Sequence, residues 1–131
     1  MKRIQVRTSK ATEMVDITEK VERAISEEEI AEGVCYLFVP HTTAGITINE
    51  GADPSVRQDI LKELDQVIPQ EDDYRHTEGN AAAHIKASLV GSSVVVFLQG
   101  GKLCLGTWQS LYLCEFDGPR RREVWMRIIR S

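Results

Sequence analysis

The chain has 131 residues, 42% hydrophobic and 27% charged, values ordinary for a globular protein and unlike those of collagen-like, disordered or coiled-coil sequences. Sixteen Lys and Arg against twenty Asp and Glu leave a formal net charge of -4, which argues against a general nucleic-acid or anionic-membrane binder. The longest uninterrupted apolar run, Val34 to Val39, ends at Pro40 and falls far short of the roughly 20 residues a membrane span needs.

This size predicts one domain, residues 1–131, with a core large enough to need no disulfide staples. Arg7, Lys10 and Glu13 interrupt the N-terminal region before a signal-peptide apolar stretch develops. Cys35, Cys104 and Cys114 make an odd number with no C-x-x-C spacing, each in an apolar run. They read as small buried hydrophobes of a cytoplasmic protein.

In chain order, Ile4 and Val6 with Met14, Val15 and Ile17 predict an opening strand pair. Asp16 and Glu19 form a capping-box pattern, and Val21, Ala24 and Ile25 carry a helical stripe that Gly33 is expected to end. Val34 to Val39 is apolar on both faces, the pattern of a central strand. His41 to Gly45 reads as a connection, with strand alternation resuming at Ile46 and Ile48. Asp53-Pro54 marks a helix start whose apolar positions run through Ile68 to Pro69.

After a polar loop, Asn80 is placed to cap a short helix through Leu89, with Gly91 beyond. Val94 to Leu98 predicts a strand, Gly100-Gly101 a hairpin turn, and Lys102 to Phe116 one long strand bent at Gly106. Asp117-Gly118-Pro119 turns the chain before a last strand, Val124 to Ile129. Turns this short join antiparallel strands. The expected class is α+β, a mostly antiparallel β-sandwich or distorted barrel with about three helices packed outside.

Three histidines are the obvious candidates for chemistry. His41 follows a strand, His76 lies in the polar loop, and His84 shares a helical face with Asn80. Three imidazoles with an open position make a catalytic zinc site. On spacing alone they read rather as surface or locally bonded histidines, since no H-E-x-x-H pattern is present. Counting by two along the long strand puts Glu115 on the face of Leu111 and Leu113, at a pocket mouth or beyond the sheet edge, with Cys104, Trp108 and Tyr112 opposite as core. Arg120, Arg121 and Arg122, with Arg127 and Arg130, suit either an anion site or a charged edge strand. Asn49, Glu50 and Asp53 are similarly open, Asp53 being explained by its cap.

The stretches from His41 to Glu50, Asp53-Pro54, Asn80 through His84 to Ser88, and Leu105 to Gln109 through Glu115 to Arg120 resemble the YjbQ-like family. This uncharacterised protein family is often labelled secondary thiamine-phosphate synthase. The resemblance runs nearly end to end and implies a single YjbQ-like α+β domain that assembles as a homotrimer. Its shared polar residues are His41, Asn49, His76, Asn80, His84, Gln109, Glu115 and Arg120.

On that footing the expected site has His41, His76 and His84 holding a divalent metal, zinc by ligand type. Glu115 acts as general base or orienter with Asn49 and Asn80, and Arg120 clamps an anion beside Gln109 and Thr107. The expected substrate is a small phosphorylated metabolite, with no nucleic acid or membrane involved. The implied activities are thiamine-phosphate synthesis, a transferase reaction, or metal-dependent hydrolysis; the alternative is a non-catalytic metal- or phosphometabolite-binding module. Thiamine-phosphate formation handles two phosphorylated substrates, and magnesium, its usual partner on pyrophosphate, prefers oxygen ligands to imidazole. Assembly also has a motive in the chain, since the stretch from Lys102 to Phe116 is apolar on both faces.

Overall fold

Residues 1–131 are described by a computed structural model. The chain runs β1 (Lys2–Arg7), β2 (Glu13–Asp16), α1 (Thr18–Ser26), β3 (Gly33–Phe38), β4 (Ala44–Glu50), α2 (Pro54–Val67), α3 (Ala81–Val90), β5 (Ser93–Gln99), β6 (Lys102–Leu103), β7 (Gln109–Glu115) and β8 (Arg121–Arg130). Two sheets form, ordered β1-β8-β3-β5-β6 and β2-β7-β4. Every strand pair is antiparallel.

Alternation along the strands builds the layers. Cys35, Leu37, Val96, Leu98, Val124 and Met126 project from the larger sheet to meet Ala44, Ile46, Leu111 and Leu113 of the smaller, and Val21, Ala24 and Ile25 of α1 join the same core. The even-numbered residues of β7 point the other way, so Tyr112 and Cys114 pack with Met14 and Phe116 against Ala83 and Ala87 of α3 and Ile60, Leu61 and Leu64 of α2. The architecture is an α+β sandwich with α2 and α3 covering the smaller sheet. The outer face of the larger sheet has no such cover.

Local signals explain the helix ends. Asp53 accepts from Ser55 N at 2.9 Å and Pro54 occupies the first helical turn, as the sequence implies. Gly91, at φ 102°, closes α3 in a conformation other residues resist. No helix is long and apolar enough to cross a membrane.

Several expectations change. β1 and β2 do not pair with each other: β1 joins β8 and β2 joins β7, because their apolar faces belong to different sheets. The first helix stops at Ser26, and Gly33 instead begins β3. Asp16 does not bond the backbone at Glu19 but accepts from Thr18 N and Oγ1, at the very start of the helix.

The expected long strand is two strands in two sheets. Lys102–Leu103 pairs with β5, and a turn releases the chain before Gln109 starts β7. Trp108 and Cys104, expected in the core, lie exposed on that connection. β3 is central, yet only Cys35 and Leu37 of its large apolar side chains are buried, whereas Tyr36 and Phe38 face outward.

Candidate functional site

The turn after β7 brings three elements together. Glu115, the last residue of β7, is fully buried and bonded by Arg122 of β8, Nε to Oε1 at 2.9 Å. Arg122 also donates from Nη2 to Oε2, making the pair bidentate. Thr8 Oγ1 donates to Oε1 at 2.7 Å and the Asp117 amide to Oε2 at 3.0 Å. Burial pushes the Glu115 pKa up, but Arg122, Thr8 and the Asp117 amide outweigh it and hold the carboxyl below its ordinary range.

Both carboxylate oxygens are thus engaged by groups of the protein itself. Of the two roles expected for Glu115, the geometry favours orienting. It is neither at a pocket mouth nor beyond the sheet edge, because its arginine partner lies inside. Arg122 donates onward from Nη2 to Thr43 Oγ1 at 2.8 Å, so the pair fixes the segment that carries His41.

His41 itself accepts a hydrogen bond at Nε2 from the Glu123 amide, 2.9 Å. Burial, with Arg122 nearby, lowers its pKa, so the ring is held neutral and its proton sits on Nδ1. His41 and His84 line one cleft of about 310 Å³ with Thr42, Ser88 and Ser92. His76 meets the His84 ring edge-on, with centroids 5.2 Å apart. His84 is thus the histidine associated with both of the others.

Asn80 holds the N-cap position of α3, but its side chain makes no capping hydrogen bond. Its Nδ2 donates to Asp117 Oδ2 at 3.0 Å, and Arg120 reaches the same oxygen from Nη2 at 3.0 Å. The Oδ1 of Asn80 is buried with no hydrogen-bond partner. Asp117 thereby joins the start of the His84 helix to the arginine expected to clamp an anion. Arg120 remains half exposed.

The other candidates lie elsewhere. Register places Ala44 opposite Glu115 at one end of the β4–β7 pair and Glu50 opposite Gln109 at the other, about 20 Å away. Asn49 and Gln109 therefore sit at the far end, where Asn49 Oδ1 accepts from the Glu50 amide and Gln109 Oε1 from the Gly106 amide. Thr107 is exposed on the same turn. Within one chain these three cannot join a site with His41, His84 and Arg120.

Sequence reasoning missed the part played by Arg122, which counted only as one of a charged run. Its signal was available: inside the alternation of β8 it falls between outward-facing Arg121 and Glu123. As for a metal, no three His, Cys, Asp or Glu side chains are gathered closely enough to hold one. The nitrogen of His41 that could ligate while neutral is already accepting from Glu123.

The whole-chain comparisons agree with this fold. A family model described as UPF0047 protein YjbQ-like matches residues 2–131. The UPF0047 protein MJ1081 of Methanocaldococcus jannaschii is 53% identical over 125 residues, 95% of this chain and 91% of that protein. YugU of Bacillus subtilis is 50% identical over 130 residues, 98% of each. A crystal structure of a YjbQ/UPF0047 family protein from Clostridium acetobutylicum superposes with a TM-score of 0.95 at 52% identity, covering 98% of this chain and 100% of that one. A conserved hypothetical protein of Thermus thermophilus gives 0.93 at 47% identity, with 98% and 100% covered. With matches spanning both chains and the same fold, this protein belongs to the UPF0047 YjbQ-like family.

Proposed function

We propose that the chain is a small-molecule enzyme whose site is the cleft between His41 and His84 and whose substrate carries a phosphate. The observation that carries this reading is the pinned His41 ring: an imidazole fixed at Nε2 by the Glu123 amide keeps its proton on Nδ1 and lines a cleft it shares with a second histidine. His84 is the group placed to move a proton. Arg120 supplies the cation for a phosphate, and Glu115 positions the His41 segment through Arg122. The buried Asn80 Oδ1 supports a ligand N–H or O–H nearby, since an unpaired buried acceptor costs about 1–3 kcal/mol.

Thiamine-phosphate synthesis is the activity implied by the family resemblance, and it belongs to this reading as one candidate reaction. The test is a panel of phosphorylated metabolites, including the aminopyrimidine diphosphate and thiazole phosphate pair, followed for binding and for conversion. His84→Ala should lose conversion and retain binding. Conversion unchanged in both His84→Ala and His41→Ala would sink the site, and binding without turnover across the panel would favour a non-catalytic binding module.

A metal-dependent form of the same site is the second reading, favoured by the contact between the His76 and His84 rings. It requires His41 to leave the Glu123 amide before a divalent ion, zinc by ligand chemistry, could gain a third imidazole. Metal content of purified wild type against His84→Ala tests it. Equal content in both would dismiss it.

The proposed assembly is a homotrimer. Its support is the uncovered apolar face of the larger sheet, where Phe38 packs on Trp125 only a few residues from His41. A neighbour seated there would border the cleft.

A further inference from the structure

The three arginines after Pro119, one ahead of β8 and two at its start, fall into separate environments. Arg120 turns to Asp117 and Arg122 to Glu115, whereas Arg121 points outward. There it stands directly opposite Arg7 of β1. Directly opposed residues on antiparallel strands hold their Cβ atoms about 4.5–5.5 Å apart, and like charges so placed destabilise the pair.

Lys20, from the first turn of α1, comes to the same place. With Arg7, Arg121, Gln5 and Val6 it lines a groove of about 410 Å³. None of these three cations has a carboxylate within 4.0 Å, whereas Lys2, Lys86, Arg120 and Arg122 all do. The carboxylate nearest along the strand, Glu123, is engaged elsewhere, accepting from Trp125 Nε1 at 2.8 Å and Gln5 Nε2 at 3.2 Å. Arg3 and Arg23 line the adjoining groove along the same sheet edge, together with Lys2 and its partner Glu27. Most of the sixteen Lys and Arg lack such a partner, but in Arg7, Arg121 and Lys20 three of them meet in one groove.

We propose that Arg7, Arg121 and Lys20 form an oxyanion site, separate from the histidine cleft, that takes the phosphate group of a small metabolite. An anion between the two guanidinium groups turns their repulsion into two charge-assisted, fork-shaped contacts, and the Lys20 ammonium adds a third charge without demanding a fixed geometry. β1 is an edge strand, so the groove opens to solvent on one side and admits a ligand whose remainder projects outward. The site uses no residue of the histidine cleft, and failure of either leaves the other standing.

Backbone amide NMR of the full chain titrated with inorganic phosphate tests this, in about 100 mM chloride so that distant exposed charges are screened. The expected result is saturable shifts at Gln5 to Arg7, Lys20 and Arg121, weakened about tenfold in Arg121→Gln, an exposed position whose replacement leaves the core intact. Unchanged phosphate affinity in Arg121→Gln would overturn the proposal, as would shifts confined to His41 and His84. So would linear, unsaturable shifts spread over all basic residues. In a parallel arm, a short single-stranded DNA that binds the groove where phosphate does not would replace it with a polyanion surface.

Discussion

Arg122 grips Glu115 through two hydrogen bonds with both side chains shut away from solvent, the arginine 4% and the glutamate 0% exposed. Such a pair gives little net stability when intact, but removing one partner strands a buried charge. Arg122→Ala is expected to lower the free energy of unfolding by about 3–5 kcal/mol in urea melts. A joint replacement by apolar residues of similar volume should lose much less. Equal losses in the two variants would show that the charge is not what matters there.

The same carboxylate predicts acid sensitivity. Its folded pKa lies below the ordinary 4.5, so the unfolded chain takes up a proton first as pH falls. The stability that Glu115 contributes is therefore complete above about pH 4.5 and is lost as pH falls through the folded value. Glu115→Gln removes this component. Urea midpoints from pH 6 downward should fall less steeply in the variant, and parallel curves would refute the assignment.

Part of this is legible in the sequence, and the reasons are local. Asp53-Pro54 announces α2 and Gly91 the end of α3, since each acts through its own backbone geometry. The period-two count places Glu115 correctly on the leucine face of β7. Its partner is invisible to that count, because Arg122 arrives from the next strand after a turn at Gly118, where a Cβ would lie 2.3 Å from the Lys10 carbonyl oxygen. The division of the candidates between the two ends of β4 and β7 is hidden for the same reason. His41 and Asn49 are close in sequence, and only the extended register between them puts them apart.

His41 should titrate below the usual imidazole value of 6.5 and show the Nδ1–H tautomer at neutral pH, because its Nε2 holds the Glu123 amide. With the folded pKa depressed, its contribution to stability is complete above 6.5 and declines as pH drops from there to the folded value. Imidazole nitrogen shifts report both tautomer and pKa. An Nε2–H tautomer would contradict the hydrogen bond on which the proposed site rests.

Asn80 can bond Asp117 only by donating its amide N–H. Asn80→Asp sets two carboxylates against one another near Arg120, and a loss of about 1–3 kcal/mol at pH 7 is expected. Acid should restore part of it by protonating one of the two, which Asn80→Ala cannot reproduce. Identical pH profiles for the two variants would show that the Asp117 contact is dispensable.

On the outer face of the larger sheet, β3 is flanked by β8 and β5. Register aligns Val34 with Ile129 and Phe97, and Tyr36 with Arg127 and Val95, so the outward side chains form one continuous patch. Phe97 is 68% exposed and Ile129 54%, in a chain that covers the outer side of its smaller sheet with helices. An apolar patch of this kind on a lone subunit marks an association surface. In the proposed trimer the face is covered by a neighbour, and light scattering should give three times the 14.7 kDa chain mass. Phe97→Glu, alone or with Tyr36→Glu, buries a charge only when subunits meet, so it should yield monomers with an unchanged circular-dichroism spectrum. A wild-type monomer at micromolar concentration would refute the assembly, and a trimer that survives both substitutions would move the interface to another face.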